Sequence, residues 1–268
     1  MVKIGLVGCG VIGSRLATEI QRKFRGKAQL IGVYDADDKT ARRLSARLKP
    51  VVPVLHPKTL ISRADLLIEA ASPKAVAEIL PQIIRRRKSL MALSAGGLLQ
   101  NPRLVRKAAA SGIPIYLPSG ALAGLDAVKA ARVGQLRSVT LTTRKSPKAL
   151  AGAPGIARRK INLSSLKKPR VIFSGSASEA VADFPKNINV AATLALAGLG
   201  AARTRVKIVA EPGSQANVHE VTAVGSFGKL MVRTENKPSR ENPKTSRLAV
   251  YSAVATLRQI LEPLRIGT

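Results

Sequence analysis

The sequence predicts an α/β protein: a Rossmann-type doubly wound parallel sheet, followed by a separate α+β unit. Strand and helix patterns alternate five times within the first 120 residues, with short connections between them. The first strand pattern, residues 3–7, runs directly into a turn at residues 8–13 that reads GxGxxG. Beyond residue 120 alternating β patterns dominate, which indicates a second unit.

The glycine turn predicts a dinucleotide-binding loop. Gly8 permits the tight turn, Gly10 lets backbone N–H groups approach a pyrophosphate, and Gly13 lets a helix pack closely on the strand. In the helix pattern that follows, apolar residues recur every four positions. The positive N-terminus of this helix, at Val11 and Ile12, therefore points at the phosphates.

The second strand pattern, residues 29–34, ends at Asp35, at about the 20-residue separation that dinucleotide-binding units use. A carboxylate there accepts hydrogen bonds from both ribose hydroxyls and repels a 2′-phosphate. We therefore predict NAD as the cofactor, with NADP as the alternative because Arg42 and Arg43 follow closely. The competing interpretation is a structural glycine turn with a helix-capping aspartate.

The alternation of the first unit continues in chain order. The predicted segments are a helix at 38–48, a Pro-broken stretch at 49–57, strands at 65–71, 89–93 and 114–117, a helix opening at Ser72 and Pro73, a loop at 94–97 and a helix at 101–111. Ligands of such sheets bind outside the carboxyl ends of the strands. We therefore expect the glycine loop, Asp35, Ala71, Ser72, and residues 94–97 and 119–121 to line one crevice. We expect His56 to be a surface loop residue.

The second unit is predicted from alternating patterns and two helix signals. Its strands are expected at 136–144, 171–174, 204–210, 218–225 and 229–234, and its helices at the capping box 176–179 and at 189–198. Residues 146–169 are expected to form a mobile loop. A helix at 245–264 is expected to return to the first domain. The predicted domains are residues 1–120 with 243–268, which bind the dinucleotide, and residues 121–242, which bind substrate.

Composition excludes several classes of protein. Of 268 residues, 46% are apolar, which excludes a disordered chain. The net charge of +30 permits polyanion binding, but the charges are scattered and no arginine-rich or aromatic-rich recognition segment accompanies them. The densest basic run, residues 85–88, ends a predicted helix, where cations complement the helix dipole. We predict a solvated basic surface without specific nucleic-acid binding.

The cysteine and histidine content limits the disulfides and metal sites that the chain can form. Cys9 is the only cysteine, so no internal disulfide forms. The only histidines, His56 and His219, have no companions at metal-ligand spacing, so no metal site is predicted. No apolar run is long enough for a membrane span or a signal peptide, and we expect a cytoplasmic protein.

His219 is the strongest candidate for proton chemistry in the second unit. Alternation along residues 218–227 places it on one strand face with Val221, Ala223 and Phe227. A histidine on such a face is often a core residue with a satisfied hydrogen bond. It also suits an acid or base near neutral pH, so both interpretations stay open.

Several stretches resemble the L-aspartate dehydrogenase family, in the same order over nearly the whole chain. They are SGALAGLD at 119–126, LTTRK at 141–145, GSASEA at 175–180, FPKNINVAAT at 184–193, NVHE at 217–220 and ENPKTS at 241–246. The resemblance implies NAD- or NADP-dependent oxidative deamination of L-aspartate through iminosuccinate, which also feeds NAD biosynthesis, and a homodimer. It implies that Ala121 and Asn189 contact the cofactor and that His219 is the active-site general acid/base.

The implied substrate is a dicarboxylate amino acid, so cationic side chains should contact it. Four candidates lie within or beside these stretches: Arg144, Lys145, Lys186 and Lys244. Two other functions remain open. One is a dehydrogenase or imine reductase of the same fold that acts on another amino acid. The other is a non-catalytic nucleotide-sensing or polyanion-binding protein.

Overall fold

The computed structural model describes residues 1–184, 189–237 and 246–267. The chain divides into two compact units. The first comprises Met1–Pro118 and Val250–Arg265, and the second comprises Ser119–Ala249 and Ile266–Thr268.

The first unit contains a parallel five-stranded sheet in the order β2-β1-β3-β4-β5. Its strands are β1 (Val2–Val7), β2 (Ala28–Tyr34), β3 (Leu66–Glu69), β4 (Ser89–Ala92) and β5 (Ile115–Tyr116). Its helices are α1 (Val11–Lys23), α2 (Asp38–Arg47), α3 (Pro57–Arg63), α4 (Pro73–Arg86), α5 (Ala95–Gln100) and α6 (Pro102–Ala110), joined by α13 (Arg247–Leu261) late in the chain. The strand order reverses between β1 and β3, so the carboxyl ends of these strands form the topological switch point, where open α/β sheets bind ligands.

Apolar periodicity accounts for the core of this unit. Leu16 and Ile20 lie one turn apart on the inner stripe of α1 and are buried against Ile4 and Leu6 of β1. Leu257 of α13 is buried in the same core. The doubly wound parallel sheet predicted for this part of the chain is confirmed.

Two short helices in the first unit differ from the sequence expectations. α5 begins inside residues 94–97, which were expected to be a loop, and α3 follows the Pro-broken stretch. Each spans fewer than two turns, too short for a 3.6-residue period to show. His56 is exposed and caps α3, because its Nδ1 accepts a hydrogen bond from the Lys58 N–H at 3.4 Å.

The second unit contains a mixed five-stranded sheet in the order β10-β9-β6-β8-β7. Its strands are β6 (Leu136–Lys145), β7 (Arg170–Ser176), β8 (Thr204–Ala210), β9 (Asn217–Gly225) and β10 (Gly228–Asn236). Its helices are α7 (Leu125–Val133), α8 (Pro147–Leu150), α9 (Pro154–Arg158), α10 (Ala177–Asp183), α11 (Asn189–Ala197) and α12 (Gly200–Arg203). Strands β6 and β8 are parallel, whereas β9 is antiparallel to both β6 and β10. This is the α+β unit that the sequence predicted.

The two faces of this sheet differ. Leu141 of β6 and Val206 of β8 are buried on the face that α10 and α11 cover. On the opposite face, Met231 of β10 is 58% exposed and Val171 of β7 is 55% exposed. Side-chain alternation thus gives the sheet one packed and one open face.

Two sequence expectations for the second unit are wrong, and two of its helices were not anticipated. Residues 146–169 contain α8 and α9, and the latter is anchored because Arg158 and Arg159 pair with the buried carboxylate of Asp183 on α10. Phe227 is not on the face of His219: β9 ends at Gly225, and Phe227 lies in the hairpin turn, 46% exposed. The helices α7 and α12 were not predicted.

No helix within the described residues is long and apolar enough to cross a membrane.

Candidate functional site

The glycine loop of the first unit is shaped by two of its glycines. Gly8 has φ +99°, and a Cβ there would lie 2.5 Å from the backbone of Ala70. A Cβ at Gly13 would overlap the carbonyl oxygen of Gly8. Any side chain at either position would therefore disrupt the turn from β1 into α1.

Gly10 is different, because a Cβ there would meet no protein atom within 4 Å. Gly10 is also the N-cap residue of α1, and no side chain caps this helix. The first-turn N–H groups, which include those of Val11 and Ile12, thus face a space that protein does not fill. Free helix N–H groups beside an open glycine suit the phosphates of a dinucleotide.

Asp35 follows the end of β2 and is held beside this loop. Its Oδ2 accepts from the backbone N–H of Cys9 at 2.7 Å, and its Oδ1 accepts from the N–H of Asp37 at 3.0 Å. Each oxygen has capacity for a further hydrogen bond, which suits the two hydroxyls of a ribose. Burial, reinforced by the charge of Asp35, raises the pKa of the Cys9 thiol to about 12, so this cysteine stays protonated.

Ala71 and Ser72 lie at the carboxyl end of β3 and are positioned by Glu69. Glu69 is fully buried, and its Oε1 accepts from the N–H groups of Ala71 and Ser72 at 2.8 and 2.9 Å. The same carboxylate accepts from the Ser94 hydroxyl at 2.8 Å and the Ser94 N–H at 3.1 Å. Burial raises the pKa of Glu69, and these hydrogen bonds oppose that effect. Glu69 therefore ties together the loops that follow β3 and β4.

Sequence reasoning missed Glu69 as a site residue. The available signal was an acidic residue inside an otherwise apolar strand, immediately before its carboxyl end. Such a residue is rarely buried unless neighbouring donors satisfy it. The loop, the free helix N-terminus and Asp35 fit a dinucleotide cofactor on structural grounds.

The site of the second unit centres on His219 of β9. His219 is 3% exposed and pairs in register with Thr143 of β6. Its Nδ1 lies 3.1 Å from the Thr143 hydroxyl oxygen, within hydrogen-bond distance. Burial, and secondarily the charge of Lys145, lowers the pKa of His219 to about 3. The imidazole is therefore neutral near pH 7, with Nδ1 held by Thr143.

Lys145 ends β6 on the face that carries His219. Val139, Leu141, Thr143 and Lys145 alternate as buried residues along the second half of β6, and Lys145 is 8% exposed. It lines a cavity together with apolar side chains: Leu150, Ala180, Phe184, Ala191 and Ile208. This burial lowers the pKa of Lys145 to about 8 from the usual 10.5.

The other cationic candidates lie elsewhere. Arg144 is half-buried on the opposite face of β6, where a guanidinium nitrogen lies 3.9 Å from a carboxylate oxygen of Glu211. The structure thus brings Lys145, but not Arg144, to the face of His219. Lys186 and Lys244 lie outside the described residues.

Ala121 and Asn189 are also in the second unit. The Ala121 carbonyl oxygen accepts from the Asn236 side-chain amide at 3.1 Å and lies 3.1 Å from the Thr234 hydroxyl. That hydroxyl is also 3.3 Å from the carbonyl oxygen of His219, so β10 connects the loop of Ala121 to the strand of His219. Asn189 is exposed at the first residue of α11.

Within the ranges 1–184, 189–237 and 246–267, no three His, Cys, Asp or Glu side chains cluster in a way that could hold a metal ion.

Two protein families match the chain. The family described as "Aspartate dehydrogenase, C-terminal" matches residues 126–260. The family described as "Homoserine dehydrogenase, NAD binding domain" matches residues 8–118. The second match contains the glycine loop and Asp35, and it confirms the prediction of a nicotinamide dinucleotide cofactor.

Individual relatives match over their full length. L-aspartate dehydrogenases from Methanosarcina barkeri and Methanosarcina acetivorans are 44% and 45% identical to this chain, with 100% of both sequences covered in each case. The crystal structure of aspartate dehydrogenase from Thermotoga maritima aligns with a TM-score of 0.75 at 27% identity and covers 100% of both chains.

Proposed function

The chain belongs to the L-aspartate dehydrogenase family, and we propose that it oxidises L-aspartate through iminosuccinate to oxaloacetate and ammonia. The observation that carries this proposal is the buried cluster of His219, Thr143 and Lys145 in the second unit. It combines a neutral imidazole, an orienting hydroxyl and a buried lysine amine, which suits an anionic substrate whose reaction moves protons.

The cofactor is proposed to bind through the first unit. The loop from Gly8 to Gly13 would hold the pyrophosphate, Asp35 the adenosine ribose, and Ala71 and Ser72 would line the crevice beside it. Ala121 and Asn189 are proposed as further cofactor contacts, by the resemblance of their surroundings to the family. When bound, the cofactor accepts hydride from the substrate Cα.

NAD is proposed as the preferred cofactor over NADP. Asp35 would repel a 2′-phosphate, and Arg42 is engaged by Asp38 with a distance of 2.6 Å between Nε and the carboxylate oxygen. This ion pair makes the Arg42 side chain less available to bind a 2′-phosphate. Comparing kcat/KM for NAD and NADP tests this preference, and a strong preference for NADP would contradict it.

His219 is proposed as the general acid/base. Thr143 holds Nδ1, which leaves Nε2 as the nitrogen that can exchange a proton with water or with the carbinolamine. The carboxylates of a bound substrate would raise the pKa of His219 from its low value and bring it closer to the range needed for catalysis.

The substrate carboxylates require cationic partners. Among the described candidates, Lys145 lies on the face of His219, whereas Arg144 pairs with Glu211 on the other face. Lys145 is therefore proposed to face the substrate. Lys186 and Lys244 remain proposed carboxylate partners on the strength of the family resemblance.

A substrate and cofactor panel tests the reaction. The enzyme is incubated with NAD or NADP and single amino acids, and in reverse with NADH, ammonia and oxaloacetate, while NADH absorbance is followed. We expect turnover with L-aspartate and with oxaloacetate plus ammonia. Turnover with another amino acid alone would move the function to that substrate.

The charge of +30 favours a test of polyanion binding as well. Filter binding of RNA and DNA is measured as salt increases. Tight binding at moderate salt together with no turnover would replace the enzymatic proposal by a non-catalytic one.

Two further points belong to this proposal. We expect a homodimer, in keeping with the family resemblance and with the apolar side chains of Val171 and Met231 on the open face of the second sheet. Light scattering that gives a monomer mass would contradict it.

We also expect free iminosuccinate to leave the enzyme and feed NAD biosynthesis. Borodeuteride added during turnover should then trap it as deuterated aspartate, and absence of label would contradict its release.

A further inference from the structure

We infer that Lys145 is the proton acceptor of the oxidation step, and that it removes the proton that the α-ammonium group of the substrate must lose. This inference rests on the proposed function and assigns a second proton-transfer group beside His219. It separates the chemistry into two steps, each served by its own side chain.

Strand geometry places Lys145 beside the reacting side chain. Thr143 is opposite His219 in the β6–β9 register, and Lys145 is the next residue of β6 on the same face. Alternate residues of a strand are separated by about 6.6 Å, within reach of a lysine side chain. The Lys145 amine and the His219 ring therefore lie in the same small region of the second unit.

Burial favours the neutral form of Lys145, because desolvation disfavours its charged form. The side chains that pack near it from β8, α10 and α11 are apolar, among them Ile208, Phe184 and Ala191. The titratable side chain that faces Lys145 from β9 is His219. Asp183 of α10 is engaged by two arginines of the α9 segment, at positions 158 and 159.

The different pKa values of Lys145 and His219 suit different steps of the reaction. A general base works best when its pKa is near the working pH. Lys145, with a pKa of about 8, supplies a free amine in mildly alkaline solution. His219, whose pKa is far below that of Lys145, is the weaker base of the two and is left to act on water.

An N–H bond of the substrate ammonium breaks, and its proton joins the lone pair of Lys145 Nζ. The Cα–H electron pair then leaves as hydride to oxidised NAD(P) while the nitrogen lone pair forms the C=N bond. Water adds to this bond and gives one proton to His219, which leaves a neutral carbinolamine. The carbinolamine nitrogen takes that proton back from His219, the hydroxyl oxygen forms the C=O bond as the C–N bond breaks, and the departing ammonia takes the hydroxyl proton and leaves as ammonium.

The first test is Lys145→Arg. Arginine keeps the positive charge but cannot lose its proton in this pH range, so it can hold a carboxylate but cannot accept the substrate proton. We expect kcat to fall about 100-fold or more while KM for L-aspartate changes little. The matched control is Lys148→Arg, an exposed lysine three residues later, which should leave kcat unchanged.

The second test restores an amine chemically. Lys145→Cys is expected to be inactive, and aminoethylation of the new thiol places an amine at the original reach with a sulfur in the chain. Cys9 is buried with a raised pKa and should resist alkylation. The sulfur atom lowers the pKa of the new amine. Activity should therefore return, and kcat/KM should rise at a lower pH than in the wild-type enzyme, where kcat/KM is expected to rise through about pH 8. Lys148→Cys, treated alike, should show the wild-type profile.

Unaltered thermal unfolding and NADH binding by the variants establish that the fold is intact. Retention of near-normal kcat by Lys145→Arg would overturn the inference, since a charge would then suffice. Restored activity with an unshifted inflection would also overturn it. Wild-type enzyme without turnover of L-aspartate would instead refute the proposed function, which keeps the two failures distinguishable.

Discussion

The hydrogen bond between Thr143 and His219 offers the sharpest test of the second-unit site. Thr143→Val keeps the β-branched shape of the side chain but replaces the hydroxyl that lies 3.1 Å from His219 Nδ1. Because Thr143 and His219 are 6% and 3% exposed, water does not readily replace the lost partner. The substitution therefore leaves a buried ring nitrogen unpaired.

The magnitude follows from this loss. Leaving a buried polar atom unpaired costs about 1–3 kcal/mol of stability. For a chain of this size, each kcal/mol lowers Tm by about 2–4 °C. If about 1.4 kcal/mol of the orienting energy also acts in the transition state, kcat falls about tenfold. NADH binding, which is proposed to reside in the first unit, should be unchanged.

The assay compares four enzymes by NADH absorbance and thermal unfolding. Thr143→Ser keeps the hydroxyl and should recover most of kcat. Thr142→Val alters the adjacent threonine on the opposite face of β6 and should have little effect on kcat. Wild-type kcat and Tm in Thr143→Val would refute the orienting role, because the hydrogen bond would then contribute nothing.

The remaining predictions concern single positions. His219→Ala should lower kcat about 100-fold or more with NADH affinity retained, and near-normal turnover would remove His219 from the mechanism. Asp35→Ser should raise kcat/KM for NADP relative to NAD, since the carboxylate that repels the 2′-phosphate is gone. Gly10→Ala should weaken NADH binding and leave Tm unchanged, whereas Gly13→Ala should lower Tm because its Cβ overlaps backbone. Glu69→Gln presents an amide donor to a cluster of donors, so NADH affinity, followed by fluorescence titration, should fall about tenfold.

Local chemistry explains why much of the fold was predictable. The glycine loop, the capping box formed by Ser176 and Glu179, and the Ser72 cap of α4 each depend on residues within five positions of one another, and all have the expected capping or turn geometry. Long apolar periods likewise predicted α1 and α4. The short helices α7, α8, α9 and α12 were not predicted, because a segment of four to nine residues shows too little of a helical period.

The contacts around the site were less accessible to sequence reasoning. Glu69 depends on donors from Ser94, 25 residues later, and His219 depends on Thr143, 76 residues earlier. Such partners are set by strand register, and alternation within one strand gives its two faces without giving its neighbours. Alternation along β9 therefore grouped His219 correctly with Val221 and Ala223 and left its hydrogen-bond partner unknown.

The sequence of β6 shows how register selects the chemistry of the site. Its last four residues are two threonines followed by two cations, Arg144 and Lys145, so either face could offer a hydroxyl and a positive charge. The choice is made upstream, because Val139 and Leu141 are completely or almost completely buried and fix which face packs inward. A slip of one residue would present Thr142 and Arg144 to His219. An arginine keeps its charge at every working pH, so the buried face would lose the group that can take up a proton. Two apolar residues that touch no substrate thus determine whether the site holds a permanent cation or a base.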